Sequence, residues 1–398
     1  MIDIKPMIRD ILPDVISLRQ DIHAYPERGY KEVETSRKIL ERLVNIPGIN
    51  IRKDVAETGI VATLGVEKKG PCVALRADMD CLSLQEETQK PYASQRPGLM
   101  HACGHDGHTA CLVGAALVLG RIQDELEGPV KFIFQPAEEG GAGGLRMCRE
   151  GALKDPRVDA IYGLHCHPGP DLELGDIAVC NGPAMAACGT FEVNIIGKGG
   201  HAAFPQACID PIYIGIQMGN AFQSIVSRMT DPLDSVVVTI TKFQAGTALN
   251  IIPERASMEG SIRALKNELL QKTMKDIENQ AKHVARAFGA EVDVTTKEVY
   301  PALINHEKTN GILNEVVRLT GKTAALKKNY PPMLGGEDFA YYTQQVPGTF
   351  WFLATRPPDE QEYPFNHNPK FDFNDDALET GIEMHCETAR HFASLWSQ

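Results

Sequence analysis

No uninterrupted apolar run in the 398-residue chain reaches the roughly 18–20 residues that a membrane-spanning helix needs. Biased or repetitive tracts are lacking as well, and the 43% hydrophobic and 23% charged residues are those of a soluble globular protein. Positive charge is outnumbered, with 40 Lys and Arg against 52 Asp and Glu. A net charge of -12 repels phosphates and excludes nucleic acid and an anionic membrane surface as partners. The opening MIDIKPMIRDILPDVISLRQ has no secretory apolar core and is expected to form an amphipathic helix of the mature protein. Ten cysteines are present, yet no CxxC occurs, which removes ribbon-type zinc and thioredoxin readings. Most are expected to be small buried residues in a reducing, cytoplasmic compartment.

The length calls for two domains. From residue 36 onward, helix-like and strand-like segments alternate. SRKILERLVN and HTACLVGAALVLGRIQ read as helices, and GIVATLG, CVALRAD, VKFIFQP and AIYGLHC as short apolar strands. That alternation predicts an α/β layer with a mixed, mostly parallel sheet. Near residue 184 the pattern changes to alternating, half-buried strands and two long helices. One helix opens on Asp210-Pro211, and the other, a charged amphipathic segment, ends at Gly289. The order β-α-β-β-α-β predicts an α+β ferredoxin-like domain. Residues 184–298 are therefore expected to form an insertion in a domain built from 1–183 and 299–398.

Four polar clusters fall at predicted strand ends or just before a helix: ADMD, MHACGHDGHTA, QPAEEGG and HCH. In open α/β sheets ligand sites collect at the C-terminal strand edge. MHACGHDGHTA holds three of the twelve histidines. Cys103 and His105 pair a thiolate with an imidazole, a set suited to zinc or another divalent transition metal. Histidines at this spacing also flank helices without binding anything, and the glycine turn and nearby carboxylates favour the metal. Glu138 and Glu139 follow an apolar strand, where one carboxylate would serve as a ligand and the other as a proton shuttle. His165 is a further ligand candidate, although His167 points the same way on a strand. His367, in NHNPKF, is an isolated late histidine. Such a donor set is enough for two ions plus a spare glutamate, a hydrolase arrangement.

These blocks resemble the M20 metallopeptidase superfamily, in its branch of N-acyl-amino-acid amidohydrolases such as hippurate and auxin-conjugate hydrolases. The resemblance runs nearly end to end, from LRQDIHAYPERGYKEVET through ALRADMDCLSLQEE, MHACGHDGHTA, FQPAEEGGAGG and YGLHCHP to GKGGHAAFPQACIDPI, ALNIIPE and GGEDFAYY. It implies two divalent ions per subunit, Mn²⁺ or Zn²⁺ with Co²⁺ or Ni²⁺ as alternatives. Cys103 would bridge them, with His105 and His165 completing one site and Glu139 and His367 the other. Glu138 would be the general base, and Asp78 would orient a metal ligand. Arg76 stands where other branches carry a histidine, and His105 takes that histidine's place. His101, His108 and His167 are left to supporting roles.

The resemblance also makes the insertion a lid and homodimerisation domain. His201 would stabilise the oxyanion, in its own active site or its partner's. Asn250 and Arg263 would hold the substrate's amide and carboxylate, the arginine through two parallel hydrogen bonds. Gly335 and Gly336 would offer backbone N–H groups to the same carboxylate. Gln206, Cys81 and Ser83 depart from the usual histidine, alanine and proline, and bear on substrate preference.

The reaction implied is hydrolysis of an N-acyl amino acid or short peptide by metal-activated water, with Glu138 moving the proton. A dipeptidase or carboxypeptidase on the same scaffold is the nearest rival. A metal-loaded binding protein without turnover is disfavoured by the intact set of candidate residues. A thiol-redox role for Cys103 fares worse, because no second cysteine lies close in sequence as a resolving partner.

Overall fold

The computed structural model describes residues 2–360 and 362–398. Helices α1 (Lys5–Ala24) and α2 (Val33–Leu43) lead into strands β1 (Asn50–Val55), β2 (Gly59–Leu64) and β3 (Val73–Asp78). Helix α3 (His105–Arg121), strand β4 (Val130–Gln135), the kinked turn α4 (Glu138–Gly141) and α5 (Gly143–Arg149) follow, then β5 (Ala160–His167) and β6 (Ile177–Val179). Next come β7 (Pro183–Met185), β8 (Ala187–Ile196), β9 (Gly200–His201), α6 (Pro211–Arg228), β10 (Val236–Ala245), β11 (Ile251–Ile252), β12 (Arg255–Ala264), α7 (Asn267–Ala287) and β13 (Glu291–Tyr300). The chain closes with β14 (Leu303–Ile304), α8 (Glu307–Leu319), β15 (Leu326–Lys328), α9 (Ala340–Thr343), β16 (Gly348–Ala354) and α10 (Leu378–Trp396).

Two compact units result, one from Met1–Gly182, Ile304–Pro331 and Asp338–Gln398, the other from Pro183–Leu303 and Pro332–Glu337. The expected limits need three corrections. The insertion opens at Pro183 rather than 184 and closes at Leu303 rather than 298. Residue 298 cut the last strand short, because β13 runs on to Tyr300. The segment Pro332–Glu337 belongs with the insertion, since Met333 N donates to Ala184 O at 2.9 Å and Ala186 N to Gly335 O at 3.0 Å.

The first unit is a mixed sheet in the order β1-β2-β4-β3-β5-β16-β6-β15. The pairs β3/β4, β3/β5, β5/β16 and β6/β15 are parallel, and the rest antiparallel. Its central strands are buried on both faces, which explains their continuous apolar runs. Fully buried side chains such as Phe132, Phe134 and Leu164 each contribute about 1.5–3 kcal/mol by leaving water. Helix α3 is buried nearly all round and packs against α1 and α10. Gly107 lets it meet the Phe373 ring, because a Cβ there would collide with that ring.

The second unit has the ferredoxin-like order β10-β12-β8-β13, antiparallel throughout. Alternation sets its core: Phe191, Val193 and Ile195 of β8 are buried with Met258 and Ile262 of β12 and with residues of α6 and α7. The Asp210 carboxylate caps α6 by accepting from Ile212 N at 2.9 Å and Tyr213 N at 3.3 Å. Among the described residues, no helix is long and apolar enough to cross a membrane.

Candidate metal centre

The parallel strands β3, β4 and β5 end side by side, and the polar clusters continue from those ends. Gly104 begins α3 in the left-handed region at φ 87°, where a Cβ would also collide with Cys166 Sγ. This turn puts His105 at the first residue of the helix and Cys103 in the turn just before it. His105 Nδ1 lies 2.9 Å from the carbonyl of Asp80. A carbonyl only accepts, so Nδ1 carries the proton and Nε2 is left as the donor atom for a metal. His165 is fixed the same way, with Nδ1 donating to Cys166 O at 2.8 Å and Nε2 lying 3.4 Å from Cys103 Sγ.

Two donor sets share the cysteine. Cys103, His105 and His165 bring one ligand atom each within 4.8 Å of one another, and so do Cys103, Glu139 and His367. His367 reaches the cluster from a left-handed backbone at φ 68°, its N–H held by Ala102 O at 2.7 Å and its Nε2 3.3 Å from Glu139 Oε1. A bulky residue in that region is strained and persists only where its surroundings hold it. Glu138 is buried beside them, and its Oε1 accepts from Asp338 N at 3.4 Å.

His108 and His167 are spent elsewhere. His108 donates from Nδ1 to Asp78 Oδ1 at 2.7 Å and accepts from Cys166 N at Nε2, 2.8 Å away, so neither nitrogen is left for an ion. His167 accepts from Gly169 N at 2.9 Å, and its Nε2 lies 3.1 Å from Tyr330 Oη. The strand therefore does not treat its two histidines alike, although residue spacing could not separate them. His101 is buried and belongs to neither donor set, and burial lowers its pKa to about 4.

The electrostatics of the cluster favour a cation. Burial alone would lower the His105 pKa, but the Asp78 and Asp80 carboxylates raise it to about 10. Its Nε2 is buried with no hydrogen-bond partner. Burial, with the Glu139 carboxylate next, pushes the Cys103 thiol well above its usual value. Burial opposes ionisation of Asp78 and Glu139. For Asp78 it is outweighed by His105, Arg76 and His108, and for Glu139 by His367 and His105, so both carboxyls stay below their ordinary range. An orphaned imidazole nitrogen, a thiol and a carboxylate in one acidic, enclosed space suit a divalent transition ion, which would also stabilise the thiolate.

Beneath the cluster, Arg76 is fully buried and donates to Asp78 Oδ2 at 2.7 Å, Asp338 Oδ1 at 3.0 Å and Gln135 Oε1 at 2.9 Å. Residue-by-residue reading did not pick out Asp338, Asp80 or Asn366. Asn366 donates to Cys103 O at 3.1 Å. Asp80 lies in ADMD, Asp338 in GGEDFAYY and Asn366 next to His367, and that adjacency was the available signal.

The remaining candidates lie in the second unit. His201 pairs with Ile251 in the β9–β11 ribbon, and Ala202 N donates to Asn250 O at 3.0 Å, so the GGHAAFP and ALNIIPE blocks are neighbours. His201 is exposed, and its Nδ1 accepts from Ala203 N at 3.0 Å. Arg263 lies opposite Cys188 in the sheet. Gly336 packs so closely on Cys188 that a Cβ would strike its sulfur, which brings Gly335–Gly336 and Arg263 to one end of that sheet.

Known proteins resemble this chain over nearly its whole length. The profile of peptidase family M20/M25/M40 matches residues 74–391. An N-acetylcysteine deacetylase of Bacillus subtilis is 39% identical over 377 residues, covering 94% of this chain and 96% of the relative. IAA-amino acid hydrolase ILR1-like 4 of Arabidopsis thaliana is 38% identical over 390 residues, covering 96% and 86%. The crystal structure of the Bacillus subtilis YXEP protein, described as a dinuclear metal-binding peptidase of the M20 family, superposes with a TM-score of 0.83. It is 34% identical and covers 97% of this chain and 99% of that one.

Proposed function

The chain belongs to the M20 peptidase family and is a metal-dependent amidohydrolase, and on that premise we propose that it hydrolyses N-acyl-L-amino acids to a carboxylic acid and an amino acid. The observation that carries this reading is the pair of donor triads sharing Cys103, with the buried carboxylate of Glu138 alongside. Cys103, His105 and His165 would hold one divalent ion, and Cys103, Glu139 and His367 the other. Bound there, the ions supply Lewis acidity toward the amide carbonyl and acidify the attacking water.

The protein's own groups do the rest. Glu138 takes the proton from the water and returns it to the departing amine. Asp338 N–H steadies its carboxylate, and Asp78 fixes His108 and closes the negative wall around His105. In the inserted unit we assign His201 to the developing oxyanion, and Asn250, Arg263 and the Gly335–Gly336 backbone to the substrate's amide and carboxylate. The hydrogen bond to Nδ1 of His201 leaves Nε2 as the atom that would donate.

Mn²⁺ and Zn²⁺ both suit mixed S/N/O ligands. Exposed apolar side chains on the inserted unit, among them Tyr213 and Ile216 of α6 and Leu249, favour a homodimer through that unit. Ten unpaired cysteines, nine of them buried, favour a cytoplasmic location.

The test is a panel assay of Mn²⁺- or Zn²⁺-reconstituted protein, varying acyl group and amino acid separately beside unblocked dipeptides. Turnover of N-acetyl or N-benzoyl amino acids is expected. Turnover confined to unblocked dipeptides would replace this reading with a dipeptidase.

A further inference from the structure

The N-terminal signature PERGYKE has no part in the chemistry above, yet it lies directly under the loop that carries Glu138 and Glu139. Glu32 Oε1 accepts the N–H of Ala137 at 2.9 Å. Asp80 then accepts the next two, Glu138 N at Oδ1 (3.0 Å) and Glu139 N at Oδ2 (2.9 Å). Three consecutive backbone donors therefore point at two buried carboxylates from distant parts of the chain. Gly29 packs onto Ala137, where a Cβ would come within 2.8 Å of Ala137 Cα, and Tyr30 Oη donates to Gly141 O at 2.8 Å.

The same loop is strained. Ala137 has φ 54° and Ala142 φ 52°, both in the left-handed region that non-glycine residues rarely adopt. A backbone held there needs outside contacts to keep it. Hydrogen bonds from N–H groups to carboxylates are about twice as strong as neutral ones, which makes this pair of acids suited to that task.

We propose that Glu32 and Asp80 form a two-carboxylate clamp on the Ala137–Glu138–Glu139 backbone, and that this clamp, as a positioning device, aims Glu139 at the second metal ion and Glu138 at the substrate. The inference rests on the two-ion reading above. The two acids differ in what they tolerate. Glu32 meets one N–H, and its other oxygen accepts from the Thr58 hydroxyl at 2.6 Å. A glutamine there can still accept from Ala137 while its NH₂ donates to the Thr58 hydroxyl, which also accepts. Asp80 meets N–H groups at both oxygens, so an asparagine must turn its NH₂ against one of them. An isosteric amide is thus tolerated at 32 and damaging at 80.

The experiment is Co²⁺ titration of the full-length metal-free protein, reading cobalt–thiolate absorption and the affinity of each ion, with thermal melting as a control on folding. Asp80→Asn and Glu32→Ala are each expected to weaken the second ion by about 10–100-fold, the range for loss of a ligand-orienting partner. The first ion should stay within about 3-fold of wild type in both, because the Asp80 carbonyl still fixes His105. Glu32→Gln is expected to restore most of what Glu32→Ala loses. The clamp is overturned if Asp80→Asn binds the second ion like wild type, or if Glu32→Gln is as damaging as Glu32→Ala. Should Asp80→Asn fail to fold, the two Glu32 variants decide between these outcomes. A wild-type chain that takes up a single ion would overturn the two-ion reading itself, and the clamp with it.

Discussion

His105 and Asp80 are joined by a 2.9 Å hydrogen bond from the imidazole Nδ1 to a backbone carbonyl, so the ring can offer only Nε2 to an ion. Because the bond is to main chain, no substitution at residue 80 removes it. The tautomer of this candidate ligand is thereby set by the main chain just after β3.

Metal loading should depend steeply on pH. Burial and then Glu139 push the Cys103 thiol well above its usual value, so the metal-free protein keeps this proton at neutral pH. Binding through the thiolate must expel it, and apparent affinity should rise about tenfold per pH unit for each proton released. Zn²⁺ calorimetry in two buffers of different ionisation enthalpy counts those protons. Zero release would place the ions away from Cys103.

Glu138→Gln should lower kcat by about 10²–10⁴-fold, the usual span for loss of a general acid–base group. Its metal content should stay at the wild-type level, since the ligand set does not include it. Steady-state kinetics with parallel elemental analysis checks both, and near-normal turnover would remove Glu138 from the proton-transfer role.

Arg76 is a buried cation between Asp78 and Asp338. Arg76→Met would leave two buried carboxylates short of a partner, at a cost of about 3–5 kcal/mol. Urea unfolding should show that loss. A variant within about 0.5 kcal/mol of wild type, the size typical of surface changes, would mean that the acids find other partners.

His23 gives a pH signature on the opposite face of α3's first turn, where its Nδ1 lies 2.8 Å from Asp106 Oδ2 and its Nε2 3.3 Å from Glu86. Burial alone would lower its pKa, but Asp106 and Glu86 raise it to about 9, against 6.5 unperturbed. The folded state therefore binds this proton more tightly than the unfolded one. Its contribution, up to about 3 kcal/mol, is complete below pH 6.5 and lost as the pH rises through 9. His23→Gln should melt lower than wild type at pH 6, with the gap closing by pH 10. A gap that stays constant would show that His23 does not titrate in this way.

Much of this was legible in the residues, and the limits have physical causes. Period-two alternation from β8 to β13 and the Asp210-Pro211 and Gly289 punctuation marked out the ferredoxin-like insertion, because those signals are local. The pairing of Cys103 with His105 was equally local. The choice between His165 and His167 was not, since both project from one strand face and only contacts with Cys103 and Tyr330 tell them apart. The carboxylates of Glu32, Asp80 and Asp338 were hidden for the same reason. Their partners lie up to 262 positions away, as in the Arg76–Asp338 pair, and no periodicity encodes such a contact.

The sharing of Cys103 by two ions is tested most directly by Co²⁺ titration of Cys103→Ser beside wild type. Wild type is expected to take up two ions per chain with a cobalt–thiolate band, and Cys103→Ser to lose that band and bind both ions more weakly. Two ions bound by Cys103→Ser with unchanged affinity would contradict the shared-cysteine centre.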